Sequence, residues 1–310
     1  MDPWVLAAAF GSSLIVSLTL VRLSIVVAGR TGHLDHPDGD RKIQSRPIPK
    51  LGGVAVAATF AVIVSAVVLA REGRGTTFVA LGVLLPALAM AVVGFIDDRH
   101  PLNPWVRLCV QALIAGWAWY AGTRITLFPQ EWLNLIVFIL WVVMVVNAIN
   151  MLDNSDGLAG STALVASLAS GVIGLLFGQY LVAALAFALA GVAAGFLWHN
   201  WYPAKVYLGD SGAYFLGFLL AIVTVRLRPV DVPLGWNIVI PVLLLALPLV
   251  DLVYVVIRRL ARRVHPFTAG RDHLAHSIQR RGASVPGTVV ILQAFLVATC
   301  GAAVGVAVSA

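Results

Sequence analysis

The sequence predicts an all-α fold, a polytopic bundle of about ten membrane-spanning helices that makes the whole of 1–310 one integral membrane domain. Two observations carry this. The chain is 60% hydrophobic and only 11% charged, too apolar for an ordinary soluble surface. Apolar stretches of about 20 residues, the length that crosses a ~30 Å hydrocarbon layer as helix, recur ten times and leave little chain for a soluble domain.

The spans fall near 3–29, 51–70, 77–96, 104–121, 133–151, 158–176, 178–198, 211–226, 235–257 and 285–309. The first follows Met1-Asp2-Pro3-Trp4, which lacks the basic segment of a secretory signal and runs into a span too long for one, so it reads as an uncleaved helix. The second is entered through Arg46-Pro47-Ile48-Pro49-Lys50-Leu51-Gly52-Gly53, where the prolines favour extended backbone and the glycines permit close approach at a helix start. Ala, Val and Gly dominate the spans and suit tight helix packing. No internal repeat is visible, so the inverted halves of many secondary transporters are missing. Cys109 and Cys300 lie inside spans, have no metal-like spacing and read as small packing residues.

Ten spans put both termini on one side. Loops and adjoining span ends after odd-numbered spans carry 15 Lys and Arg against 5 on the other side, so the positive-inside rule makes the first set cytoplasmic and both termini external. The net charge of +7 then reads as topology and attraction to anionic lipid, and nucleic-acid binding is excluded as a reading. The same assignment, made from cations alone, brings three acidic segments to the cytoplasmic face.

These segments are the chemistry-bearing part of the chain. An acid within hydrocarbon costs roughly 2.5–3.5 kcal/mol at a helix centre, so acids at bilayer edges point to function. No cluster of lysines in the same segments offers a simple salt-bridge explanation. Asp97 and Asp98 end span three, where solvated acids would oppose the helix dipole. Successive residues point about 100° apart, so one acid can face a metal and the other a substrate group. Asn147, Asn150, Asp153 and Asp156 recur every third residue at the end of span five and predict one polar stripe, in an active cleft or in a merely solvent-filled one. Asp210 begins span eight as an N-cap, a metal ligand or both. Asp251 lies seven residues before Arg258, about two turns, and pairing between the two is expected. His273 and His276, beside Arg271, suit phosphate or, less well, a transition metal, with solvated loop histidines as the plain alternative. Asp and Asn oxygens with few soft ligands favour Mg²⁺ or Mn²⁺, completed by substrate phosphate. The basic loop would neutralise the remaining phosphate charge.

In this order the motifs resemble the polyprenyl-phosphate N-acetylhexosamine-1-phosphate transferases over nearly the whole chain. They are Arg46 to Gly53, Asp97-Asp98, Asn147-x-x-Asn150-x-x-Asp153-x-x-Asp156-Gly157, Tyr207-x-Gly209-Asp210-Ser211-Gly212, Asp251 before Arg258-Arg259, and Arg271-x-His273-x-x-His276. The resemblance implies transfer of a HexNAc-1-phosphate from a UDP-sugar, UDP-GlcNAc in the first place, to polyprenyl (undecaprenyl) phosphate. UMP would be released and a cell-envelope glycan initiated, in the cell (inner or plasma) membrane. It implies Asp210 as Mg²⁺ ligand with Asn150 as a second. Asp97 or Asp98 would act on the lipid phosphate, with Asp153 and Asp156 on the nucleotide-sugar side. His273, His276 and Arg271 would serve the diphosphate, Asn200 and Tyr207 uracil, and Lys50 and Asn147 substrate binding. Membrane lipid is a further partner, and a homodimer is a family-level expectation.

The chain departs from the family at three places. His-x-His-His becomes His273-Leu274-Ala275-His276, Gly270 stands where an acid is common, and Asn154 replaces a glycine. The missing run of three histidines points away from the pentapeptide-transferring branch. A transporter or lipid carrier using the same cleft and a catalytically weakened relative are the competing readings. A CDP-alcohol transferase and an intramembrane aspartyl protease fit poorly, because Gly160-Ser161 and Tyr207-Leu208 stand where their motifs need other residues.

Overall fold

A computed structural model describes residues 3–37, 46–70, 79–227, 235–265, 268 and 270–309. Arg41, Lys42, Arg71, Arg74 and Arg228, used in the loop-charge comparison, lie outside the described residues. Helix accounts for 79% of the structure, as expected of an all-α membrane protein. The helices are α1 (Pro3–Thr31), α2 (Gly52–Ala70), α3 (Leu85–Arg99, entered through a π-helical turn at Val79–Leu84), α4 (Pro104–Tyr120), α5 (Glu131–Leu152) and α6 (Leu158–Leu176). They continue as α7 (Tyr180–Asn200), α8 (Gly209–Arg226), α9 (Trp236–Leu244), α10 (Ala246–Ala261), α11 (Leu274–Gln279) and α12 (Val285–Ser309). A helix or helix pair therefore stands at every predicted span. Among the described residues six helices are long and apolar enough to cross a membrane, seven if α9 and α10 count as one span, and Gly52–Val67 is a shorter apolar helix.

Helix α8 is the axis of the bundle. Every residue from Ser211 to Thr224 is buried, and α8 packs against α2, α3, α5 and α6, while α1 lies along α7. The burial explains why α8 shows almost no amphipathic pattern: protein covers it on all sides. Close approach to α2 is possible because Gly53 and Gly212 meet backbone to backbone. A Cβ on Gly53 would lie 2.1 Å from the Gly212 nitrogen. Phe60 of α2 then meets Phe215 of α8 edge to face at 5.7 Å.

The expected single span over 235–257 is broken. Helices α9 and α10 meet at 79°. Pro241 sits inside α9 and Pro248 in the first turn of α10. A proline at 248 cannot donate to the Leu244 carbonyl and its ring crowds that oxygen, which ends α9 at Leu244. The orphaned Leu244 carbonyl takes a weak contact from Cys300 Sγ at 3.8 Å.

Two residues before α2 and two after α1 form an antiparallel ladder, β1 (Leu34–Asp35) with β2 (Ile48–Pro49), pairing Leu34 with Pro49 and Asp35 with Ile48. The extended backbone that Pro47 and Pro49 favour is thereby used. The segment is also tied to the start of α8. Tyr207 N donates to Pro49 O at 2.8 Å, Gly52 N to Tyr207 O at 3.1 Å and Gly53 N to Leu208 O at 2.9 Å.

Candidate active site

The helix start at Gly209 organises one end of the bundle. Gly209 has φ +69°, and a Cβ there would stand 2.7 Å from Asp98 Oδ2, so both backbone and space call for glycine. Asp98, on the last turn of α3, accepts from Asp210 N at 2.9 Å through Oδ1 and from Ser211 N at 3.1 Å through Oδ2. The N-cap role considered for Asp210 therefore belongs to Asp98, reaching across from another helix, and no side-chain cap comes from α8 itself. Lys50 Nζ pairs with Asp98 Oδ1 at 2.8 Å. The missing lysine partner thus does exist, on a segment 48 residues away in sequence. Asn150, near the end of α5, donates from Nδ2 to Asp210 Oδ1 at 2.6 Å. That bond uses the amide N–H and leaves the Asn150 carbonyl oxygen as a donor atom for a cation.

A cleft of about 580 Å³ opens over this cluster. Lys50, Asp153, Asp156, Asn200, Tyr207, Asp210, Arg271 and His276 line it. Asp153 follows α5 directly; loss of water, then the charges of Asp210 and Asp98, push its carboxyl up to about 7. Burial also raises the Asp156 carboxyl, against a bond from Ala204 N at 2.9 Å that favours its ionised form. Asn200 is buried and staples two loops, accepting from Gly157 N at 3.0 Å and donating to Val206 O at 2.9 Å. Burial pushes the His276 imidazole down to about 4, helped by the neighbouring His273, Arg271 and Arg280, so it is neutral at pH 7. Among the described residues its buried Nδ1 finds no hydrogen-bond partner.

Other expected residues lie behind the cleft wall. Asp97 is buried, accepts from Leu102 N at 2.8 Å and Tyr214 Oη at 2.5 Å, and pairs with Arg107 Nη1 at 3.4 Å. The adjacent acids thus face opposite ways, Asp98 toward α8's N-terminus and Asp97 into the α3–α4–α8 packing. Asn147 turns to α4, donating to Gln111 Oε1 at 2.6 Å and to its own helix at Val143 O. The predicted single stripe is corrected accordingly. Three residues advance a helix by about 300°, so each step drifts about 60° from the last, and α5 ends at Leu152, which takes Asp153 and Asp156 off the helix altogether.

The expected Asp251–Arg258 pairing is also corrected. Two turns separate them by roughly 10 Å along the axis, beyond an aspartate's reach. Arg258 instead donates to Tyr254 Oη at 2.8 Å and Ser277 Oγ at 3.0 Å, while Asp251 Oδ2 meets His273 Nδ1 at 2.8 Å. His273 is consequently buried, outside the cleft lining, with its ring edge to face against His276 at 5.8 Å. Ala275, the departure from the histidine motif, is 1% exposed and packs into the core, so the substitution removes nothing from the cleft.

Asp35, Arg46, Ser155 and Gln279 also line the cleft and escaped sequence reasoning as site residues. Gln279 Nε2 donates to Ser155 Oγ at 3.2 Å across it. Arg46 was visible inside its motif, but only the pairing of Asp35 with Ile48 brings the hairpin to the cleft.

A divalent cation is compatible with these residues where substrate completes its shell. Among the described residues no three or more His, Cys, Asp or Glu side chains form a metal-holding group. Mg²⁺ commonly takes one or two protein oxygens and completes its shell from water and substrate phosphate. Asp210 and Asn150 supply such a pair, with the Asp153 carboxyl, raised by burial and then by Asp210 and Asp98, in the same cleft. The donor set fits.

Residues 80–228 match the family described as Glycosyl transferase family 4, a stretch that holds Asp97, Asp98, the Asn147–Asp156 segment and Asp210. The chain is similar to a probable undecaprenyl-phosphate N-acetylglucosaminyl 1-phosphate transferase of Bacillus subtilis, 27% identical over 93% of this chain and 81% of the relative. It is 31% identical to an undecaprenyl-phosphate alpha-N-acetylglucosaminyl 1-phosphate transferase of Thermotoga maritima, over 86% of this chain and 80% of that protein. A decaprenyl-phosphate N-acetylglucosaminephosphotransferase of Mycobacterium tuberculosis is 29% identical over 86% and 74%.

Proposed function

The chain belongs to glycosyl transferase family 4 and is a glycosyl-1-phosphate transferase of the polyprenyl-phosphate N-acetylhexosamine-1-phosphate class, and on that premise we propose that its cleft takes UDP-GlcNAc and undecaprenyl phosphate with Mg²⁺. An oxygen of the lipid phosphate attacks the β-phosphorus of the donor. The bond from that phosphorus to the bridging oxygen breaks, the electron pair stays on the bridging oxygen, and UMP leaves.

The single observation that carries this reading is the cleft itself. Residues from five separate stretches of chain, Lys50, Asp153 with Asp156, Asn200 with Tyr207 and Asp210, Arg271, and His276, line one cavity beside an α8 start held by Asp98. Six of these residues suit identifiable parts of the reaction. Lys50 and Arg271 supply positive charge for a diphosphate, with Lys50 held by Asp98. Neutral His276 offers a hydrogen bond to a phosphoryl oxygen without needing a proton from solvent. Tyr207 gives a ring to stack on uracil, and Asn200 braces the loop beneath it. Mg²⁺, held by Asp210 and Asn150, would supply charge neutralisation on the donor diphosphate.

The burial of Ala275 supports an active enzyme over a weakened one, since the cleft keeps its own histidine at 276. The donor sugar rests on the names of the relatives. We further propose ten crossings of the plasma membrane with the cleft facing the cytoplasm, on the strength of the loop charges. The test is UMP release by detergent-purified protein across a panel of UDP-sugars, with and without undecaprenyl phosphate and Mg²⁺. Release from UDP-GlcNAc that needs both lipid and metal is expected. Uptake or binding without UMP in the presence of all three would overturn the assignment.

A further inference from the structure

Asp251 is a fully buried carboxylate in α10, outside the cleft, and an acid in such a place needs strong partners to persist. It has two. Oδ2 lies 2.8 Å from His273 Nδ1, and Oδ1 accepts from Leu274 N at 2.8 Å. An ionised carboxylate only accepts, so His273 carries its proton on Nδ1, and Nε2 is left as the other face of the ring. The second bond fixes the backbone where α11 begins. That helix has six residues, too few to hold its own shape, so its position depends on what anchors it.

Other ties of this segment lie nearer solvent: Ser277 Oγ meets Tyr254 Oη and Arg258 Nη1 of α10 at 3.0 Å each, on half-buried side chains. Asp272 pairs with Arg259 at 3.5 Å and with Arg262 at 3.1 Å, the latter on a side chain largely in solvent; ion pairs of that kind contribute little. The Asp251–His273 contact is therefore the most deeply buried of these ties between α10 and the segment that delivers Arg271 and His276 to the cleft.

We propose that Asp251 is a positioning residue for the phosphosugar transfer, acting through His273 to fix one imidazole tautomer and the start of α11, and so the placement of Arg271 and His276. The inference rests on the transferase reading above and gives a role to a residue that does not touch substrate. It predicts that Asp251 and His273 behave as one unit.

The experiment measures UMP release by full-length Asp251→Asn, His273→Ala and the double variant, with folded fraction followed by thermal melts. Asn keeps the shape of Asp but presents N–H toward Nδ1. D251N should lose roughly tenfold to a hundredfold in kcat, as orienting partners of functional histidines do, with little change in donor KM. In the H273A background the same substitution should add nothing. Nitrogen-15 spectra of histidine-labelled protein supply a readout that a purely structural role would not move. The Nδ1–H signal missing from H273A should pass to Nε2–H in D251N. Full activity of D251N, effects that multiply in the double variant, or a D251N that fails to fold where H273A folds would each overturn the proposal. A wild-type protein that releases no UMP overturns the transferase reading instead, and the inference falls with it.

Discussion

Asp98 holds the helix that carries Asp210: its two carboxylate oxygens take the backbone N–H groups of Asp210 and Ser211 at 2.9 and 3.1 Å. A negative group at these N–H donors also meets the positive end of the α8 dipole. The two acids therefore act differently, and their substitutions should separate. Asp98→Ala removes a cap worth about 1 kcal/mol and should lower the melting temperature by about 2–4 °C as well as abolish UMP release. Asp210→Asn keeps the backbone N–H and should melt like wild type while losing Mg²⁺-dependent activity. Equal melting shifts for the two variants would refute this division.

The Gly53–Gly212 contact leaves no room for a methyl group. Gly53→Ala would press Cβ against the Gly212 backbone, where neither partner can rotate away, and overpacking of this kind costs about 1–3 kcal/mol. Its thermal midpoint in detergent should fall. Gly116→Ala, whose Cβ meets nothing within 4 Å on α4, should melt at or slightly above wild type. A Gly53→Ala protein as stable as Gly116→Ala would show that α2 and α8 do not pack as described.

Asp153 makes the site sensitive to pH. Its carboxyl titrates near 3.8 ordinarily and about 7 in the fold, raised by burial and then by Asp210 and Asp98. Between those values the folded protein keeps a proton that the unfolded chain has lost. The stability contribution is thus complete below 3.8 and is lost as pH rises through about 7. In metal-free buffer the melting temperature should decline over that window and then level off. A cation in the cleft competes with the same proton, so half-saturating Mg²⁺ for UMP release should be about tenfold higher at pH near 6 than near 8. An Asp153→Asn variant that keeps both pH dependences would assign them elsewhere.

The orientation proposed from the loop charges assigns a side to each end of the bundle. In a background with Cys109 and Cys300 replaced, Gln130→Cys should react with a membrane-impermeant maleimide on intact cells. Arg281→Cys should react only after the membrane is opened. Reaction at Arg281→Cys from outside would reverse the orientation.

Sequence patterning located a helix or helix pair at each predicted span, though not the short α11, because spans of apolar residues declare themselves by length and content alone. It did not show the break between α9 and α10, although Pro241 and Pro248 were in plain view, since apolar length says nothing about where a carbonyl loses its donor. The motifs gathered the correct segments at one end of the bundle, yet not the facing of each side chain. Asp97 and Asp98 are neighbours in sequence and look alike. Only the approach of Tyr214 and Arg107 on one side, and of Lys50 and the α8 N-terminus on the other, gives them different work.

The sequence by itself determined the solvent of this protein, its helices and the kinds of ligand its polar residues could hold, because these follow from composition and short-range spacing. Only the tertiary structure decided which acid caps, which lines the cleft and which binds a histidine behind it. Those outcomes depend on partners tens to more than a hundred residues away, as in the pairs Lys50–Asp98, Asp98–Asp210 and Asp251–His273. A buried carboxylate is stable only where such partners arrive, and no local pattern records their arrival.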